Sequence, residues 1–134
     1  MFVHLRLHSE FSVVDSTLRI DEAVTAAAQD GQPALALTDL NNLFGAVKFY
    51  RAAIKAGVQP ILGAEVLIED LLPSVKDRPL PRVLLLAQNQ QGYLNLCELL
   101  TRGWLAVGNK EQATLQWAWL QELGDGLIML SGAL

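Results

Sequence analysis

Gly31-Gln32-Pro33-Ala34-Leu35-Ala36-Leu37-Thr38-Asp39-Leu40-Asn41-Asn42 is the stretch on which the fold reading turns. Ala34 to Thr38 is a short apolar run that turns polar at its end, as a buried strand does where it opens onto a surface. Just upstream, Ile20 to Asp30 is rich in alanine and sets Ile20, Val24, Ala27 and Ala28 at helical spacing, with Gly31 as the stop. Just downstream, Asn41 or Asn42 caps a second helix from about Phe44 to Ala56. Its spacing predicts Val47, Tyr50 and Ile54 inward and Gly57 as its stop. Helix, buried strand, helix is the core of an α/β fold.

The same alternation extends in both directions. Val3, Leu5 and Leu7 alternate with His4, Arg6 and His8, a period of two that predicts a strand with one polar face. Val58 to Ile68 reads as the next strand, Glu69 to Pro81 as an exposed, proline-rich charged loop, and Arg82 to Ala87 as a strand. Tyr93 to Leu105 is a helix, Leu115 to Leu123 a short one, and Gly126 to Leu130 a last strand. Strands separated by helices imply right-handed crossovers and a parallel sheet. Polar residues gather at the strand ends, where such sheets build their sites: His8 after the first strand, Asp39 after the second, Glu65 within the third. About five strands do not close an eight-stranded barrel, and the last lacks a covering helix. The expectation is one truncated domain over residues 1–134, with a free sheet edge inviting self-association.

Composition narrows the function classes. Of the 134 residues, 51% are hydrophobic and 18% charged, which excludes disorder and favours a heavily buried layered fold. The formal net charge of −4 argues against a self-sufficient nucleic-acid binder. A single cysteine, Cys97, rules out an internal disulfide and a cysteine zinc cluster and fits a reducing compartment. Charged and polar residues interrupt the first apolar stretch, so it is no signal peptide, and no run approaches the roughly 20 apolar residues of a membrane span. The expected location is the cytoplasm.

Several ordered motifs then agree with one family. His4-Leu5-Arg6-Leu7-His8-Ser9-Glu10-Phe11-Ser12 resembles the opening of the PHP (polymerase and histidinol phosphatase) domain, as found at the N-terminus of bacterial replicative DNA polymerases. Pro33 to Asp39, Asn42 to Tyr50, Ala56 to Val66, Leu84 to Asn89, Gly92 to Leu96 and Gly126 to Gly132 continue the likeness. It covers nearly the whole chain except Glu69 to Pro81 and Gly108 to Gln116. The resemblance implies a PHP-type distorted β/α barrel, of which this chain is roughly the first half. In metal-binding members the first strand ends in His-x-His and the second in Thr-Asp-His, and an aspartate and a Gly-x-Glu add carboxylates. Imidazoles and carboxylates so clustered suit zinc or manganese and activate water for phosphoester hydrolysis. Here His8, Asp15 and Glu65 remain at ligand positions, whereas Arg6 and Leu40 stand where histidines belong. A guanidinium stays protonated and cannot ligate a cation, and leucine has no lone pair. The resemblance therefore points to the branch whose metal site is degenerate, with Arg6 expected to pair with Asp15 or Glu65 in place of metal charge.

Other residues have plainer readings. His4 misses the ligand position and reads as structural. Cys97 shares a helical face with Tyr93, Leu100 and Trp104 and reads as a small core hydrophobe. Trp104, Trp117 and Trp119 read as packing residues. Lys48, Arg51 and Lys55 share a helical face, either solvated or turned to a partner. No phosphate-binding loop, nucleophile elbow or His-Glu-x-x-His is present. The resemblance implies a scaffold and docking role within a replicative DNA-directed DNA polymerase, with no catalytic residue and no cofactor in this chain. Magnesium would serve the parent's polymerase domain, a proofreading exonuclease subunit would be the partner, and DNA would be reached through other domains. The alternative is an active metal-dependent phosphoesterase or proofreading domain.

Overall fold

Residue 19 has extended backbone and residue 20 begins helix α1 (Ile20–Gln29), which turns Ile20, Ala23, Val24 and Ala27 inward. The computed structural model describes residues 2–12, 16–69, 79–110 and 112–131. It contains strands β1 (Ala34–Leu40), β2 (Gln59–Leu67), β3 (Arg82–Ala87) and β4 (Leu127–Ser131) in one four-stranded sheet of order β1-β2-β3-β4. Helices α2 (Ala46–Ala56), α3 (Gln90–Leu105) and α4 (Trp117–Glu122) complete the elements. Among the described residues, no helix is long and apolar enough to cross a membrane. The chain divides into two units, residues 1–64 and 65–134, with β2 running through the division.

In the first unit, α1 and α2 pack around a cluster of Ile20, Val24, Ala27, Leu35, Leu37, Phe49, Ala53 and Val58. Phe49 is fully buried at its centre, and truncating such a side chain to alanine costs about 3–5 kcal/mol. The helices approach closely because Gly45 precedes α2: a Cβ there would lie 2.6 Å from Ile20 Cδ1. Gly57 ends α2 with φ 77°, the left-handed conformation glycine tolerates best. The face of α2 differs from the expectation. Ala46, Phe49 and Ala53 are buried, whereas Val47, Tyr50 and Ile54 are exposed. Phe49, flanked by the small Ala46 and Ala53, faces the core, and the Val47, Tyr50 and Ile54 stripe is turned to solvent.

The N-terminal segment is also less regular than expected. It lies beside β1 through one parallel bridge, His4 to Leu35, and the N–H groups of Ala36 and Thr38 donate to the carbonyls of His4 and Leu7. The return bonds are made by side chains: Leu7 N–H donates to Thr38 Oγ1 at 2.9 Å, and His4 N–H to Gln32 Oε1 at 3.4 Å. Side chains replace ladder acceptors, so a regular strand does not form. Arg6 and Leu5 are both exposed, so the period-two pattern does not sort polar from apolar faces there.

In the second unit, β3 and β4 pair antiparallel, Val83 with Ser131 through Ala87 with Leu127, which corrects the expected all-parallel sheet. The connection explains the reversal. After α3 the chain makes an additional pass, in which Leu115 N–H donates to the Leu67 carbonyl and Glu69 N–H to the Leu115 carbonyl, before α4 leads into β4. A single helical crossover would have returned the strand parallel. Asn89 Oδ1 caps α3 by accepting from Gly92 N–H at 2.9 Å. Gly92 sits against Gly126, where any Cβ would overlap the Gly126 carbonyl oxygen. Gln88 N–H to the Gly126 carbonyl and Asn95 Nδ2 to the Asp125 carbonyl hold the start of α3 to the turn before β4. Residues 70–78, most of the expected loop, lie outside the described residues.

Candidate functional site

The polar end of β1 is organised around Asp39, whose side chain is 1% exposed. Its Oδ1 accepts from Ser9 N–H at 2.6 Å and from Ser12 Oγ at 2.8 Å, and its Oδ2 accepts from Ser9 Oγ at 2.7 Å. Each serine oxygen accepts in turn: Ser9 Oγ from Phe11 N–H at 3.2 Å, and Ser12 Oγ from Leu40 N–H at 2.9 Å. Hydrogen bonds to a charged acceptor each contribute about 1.5–3 kcal/mol, so this cluster fixes the segment after His8 onto β1. Asn42 extends it, with Nδ2 donating to the carbonyls of Phe11 and Leu40 and Oδ1 accepting from Phe44 N–H. Asn41 takes a left-handed φ of 56°, a conformation asparagine adopts more readily than most residues, and this turns the chain toward α2.

Ser9 and Ser12 are organising residues that strand and helix periodicity does not reveal, and Asn42, expected with Asn41 as a helix cap, organises this turn instead, the N-cap of α2 being Gly45 with no side-chain bond. The only sequence signal is their type, short side chains that bond to nearby backbone at the ends of elements. The carboxylate of Asp39 is occupied by serine donors, so its chemistry in this arrangement is structural.

The expected ligand positions fall on different elements. His8 is half-buried after the N-terminal segment, and Leu40 is half-buried at the end of β1. Glu65 is fully buried on β2 and belongs to the second unit. Arg6 is exposed and, like His8 and Glu65, has an interaction partner. Asp15 lies outside the described residues. Among the described residues, no group of three or more His, Cys, Asp and Glu side chains is arranged to hold a metal ion. Lys48, Arg51 and Lys55 are exposed on α2, and Lys48 Nζ is 3.7 Å from Glu10 Oε1.

The second unit also carries ion pairs among side chains at or near its surface. Arg102 bridges Glu122 at 2.9 Å and Glu98 at 3.0 Å. Its hydrogen bonds to Glu122 and then Glu98 raise the guanidinium pKa, and the same bond to Arg102 lowers that of Glu122. Lys110 and Thr114 both donate to Glu69 Oε2, at 2.9 and 3.1 Å. On α3, Cys97 and Tyr93 are half-buried; burial, and then the neighbouring Cys97, raise the tyrosine pKa. Trp104 is exposed rather than part of the apolar face, which is formed by Leu96, Leu99 and Leu100 with Gly92, Asn95 and Gly103.

A four-stranded sheet flanked by helices, with a buried carboxylate at the end of β1, defines an α/β class, and the chain belongs to the PHP domain family, which residues 4–134 match. Its relatives within that class include DNA polymerase III subunit alpha of Pseudomonas fluorescens, 46% identical over 132 residues, covering 98% of this chain and 11% of the relative. DNA polymerase III subunit alpha of Vibrio cholerae is 43% identical over 131 residues, with the same 98% and 11% coverage. The chain thus spans about 11% of the length of these relatives. Among solved structures, one described as a metal-dependent phosphoesterase from Bifidobacterium adolescentis superposes with TM-score 0.56 at 18% identity, covering 81% of this chain and 34% of that one. An amidohydrolase from Chromobacterium violaceum, with bound sulfate and no metal, superposes with TM-score 0.54 at 23% identity, covering 81% and 36%. At these identities the likeness is one of fold.

Proposed function

We propose that this chain is the N-terminal part of the PHP domain of a replicative DNA polymerase alpha subunit, with a scaffold and docking role and a degenerate metal site. The observation that carries the reading is 46% identity over 98% of the chain to a DNA polymerase III subunit alpha. Arg6 and Leu40 stand at the two positions where the family's metal-binding members have histidine, and neither side chain offers a donor to a cation. His8, Asp15 and Glu65 keep ligand-type side chains, but a three-residue remnant falls short of a multinuclear centre. The residues present do not fit the metal, and no hydrolytic step is assigned to them.

In this reading polymerase chemistry, with its magnesium, belongs to other parts of a larger polypeptide, and DNA is reached there. A proofreading exonuclease subunit is the proposed partner and the cytoplasm the proposed location. The alternative of an active phosphoesterase draws on the fold of the Bifidobacterium structure and is disfavoured by Arg6 and Leu40.

Elemental analysis of the purified protein after extensive dialysis tests the degenerate site. Sub-stoichiometric zinc, manganese and iron are expected; near-stoichiometric metal with phosphatase or 3′-exonuclease turnover would overturn it. The docking role is tested by binding of the proofreading exonuclease subunit from the same organism, and no complex at micromolar concentrations would refute it.

A further inference from the structure

The outer face of α2 is unusual in an acidic protein with a well-buried core. Phe44, Val47, Tyr50 and Ile54 are 71%, 62%, 51% and 53% exposed. Val47, Tyr50 and Ile54 recur at helical spacing and form one apolar stripe along α2. Arg51, Lys55 and Lys48 follow on one flank of that stripe, and the helix, AVKFYRAAIKA, contains no acidic residue. Its opposite face is fixed in the core through Phe49 and Ala53, so α2 presents a rigid surface.

We propose that this face docks an amphipathic helix of a protein partner, one that sets apolar residues against Val47, Tyr50 and Ile54 and places carboxylates along one side, opposite Arg51 and Lys55. The inference rests on the docking role proposed above and assigns it a surface. Charge complementarity selects the occupant. A second copy meeting the same face offers the cations no carboxylate from its own α2, and in an antiparallel pair it sets basic flank against basic flank. A nucleic acid would leave four large apolar side chains against phosphates and gain little counterion release from so few cations. A bilayer surface rich in anionic lipid would meet only three cations along an 11-residue helix, one of them, Lys48, already beside Glu10. A helix with an acidic flank satisfies the apolar stripe and the cations together.

The test uses two stapled, fluorescein-labelled helical peptides with leucines spaced three and four apart, one flanked by glutamates and the other by lysines. In anisotropy titrations against the 134-residue protein, the glutamate peptide should bind at least about tenfold more tightly than the lysine peptide. Ile54→Glu should abolish binding. Arg51→Glu combined with Lys55→Glu, both at exposed positions, should reverse the preference, with circular dichroism confirming that each variant is folded. Equal affinity for the two peptides, or no binding of either, overturns the proposal. So does an Ile54-dependent dimer in sedimentation velocity, or Ile54-dependent binding to duplex DNA or to phosphatidylserine vesicles. A protein that binds neither peptide yet still binds the exonuclease subunit loses this surface and keeps the docking role.

Discussion

Replacing Asp39 probes the polar end of β1 directly. Its carboxylate receives Ser9 N–H, Ser9 Oγ and Ser12 Oγ, all within 2.8 Å. In Asp39→Ala, the two hydroxyls are free to rotate toward other acceptors, but the backbone N–H of Ser9 is fixed in a buried position without a partner. An unsatisfied buried donor costs about 1–3 kcal/mol, and each charged bond lost adds to that. Relief from burying a carboxylate offsets part of the loss. The expected net destabilisation is about 2–4 kcal/mol, one unsatisfied buried donor and the charged bonds lost, less that relief. Asp39→Asn keeps the acceptor oxygen but turns an NH2 toward Ser9 Oγ, so about 1–3 kcal/mol is expected. Ser9→Ala should cost a similar amount and should be non-additive with Asp39→Asn, because both remove the same bonds. Urea unfolding followed by circular dichroism supplies the test, with an unchanged slope confirming that stability has changed and not the extent of unfolding. A midpoint equal to wild type in Asp39→Ala would refute the structural role. Loss of a stoichiometric bound metal in that variant would instead make Asp39 a ligand.

Three further outcomes follow from the same structure. Gly92→Ala, whose new Cβ would overlap the Gly126 carbonyl, should destabilise by about 1–3 kcal/mol despite alanine's better helix propensity, whereas Gly31→Ala, with open space around it, should cost only about 1 kcal/mol; equal losses in thermal melts would discount the close approach. Because Arg102 holds the Glu122 carboxyl below its ordinary 4.5, their ion pair is fully present above that pH and is lost as pH falls through the lowered value. Glu122→Gln should therefore flatten the acid limb of a melting-temperature profile, more visibly at low salt, and superimposable acid limbs would count against the pair. Arg6→Ala at its exposed position should change stability by no more than about 1 kcal/mol, and a larger loss in denaturant titration would show that Arg6 carries a buried countercharge after all.

What the sequence could and could not reveal follows from the kind of information each feature needs. β3 spans Arg82–Ala87 as its uninterrupted apolar run indicates, and α1 ends before Gly31 as its stop signal requires. These are local patterns, set by composition and by backbone freedom. The direction of β4 is not local, because the same apolar residues serve a parallel or an antiparallel strand, and only the additional pass through Leu115 decides it. The candidate site divides in the same way. The residue types of Arg6, Leu40 and Glu65 are read directly from the sequence, while the burial of Glu65 and the exposure of Arg6 depend on the folded chain.

Helix α2 shows why hydrophobicity alone misjudges a face. Its sequence offers two inward stripes, Ala46, Phe49 and Ala53 or Val47, Tyr50 and Ile54, and transfer free energy favours burying the larger set. Packing imposes a second condition. A Cβ at Gly45 would come within 2.6 Å of Ile20 Cδ1, so the start of α2 lies close against α1, and the face turned there sets one large residue, Phe49, between Ala46 and Ala53. One aromatic side chain in the core cluster thus fixes the face, and the stripe with more apolar area is left outward. An apolar face retained under that constraint, beside Arg51 and Lys55, is the physical basis for assigning docking to this helix, whereas the buried Asp39 cluster has its charge satisfied within the fold.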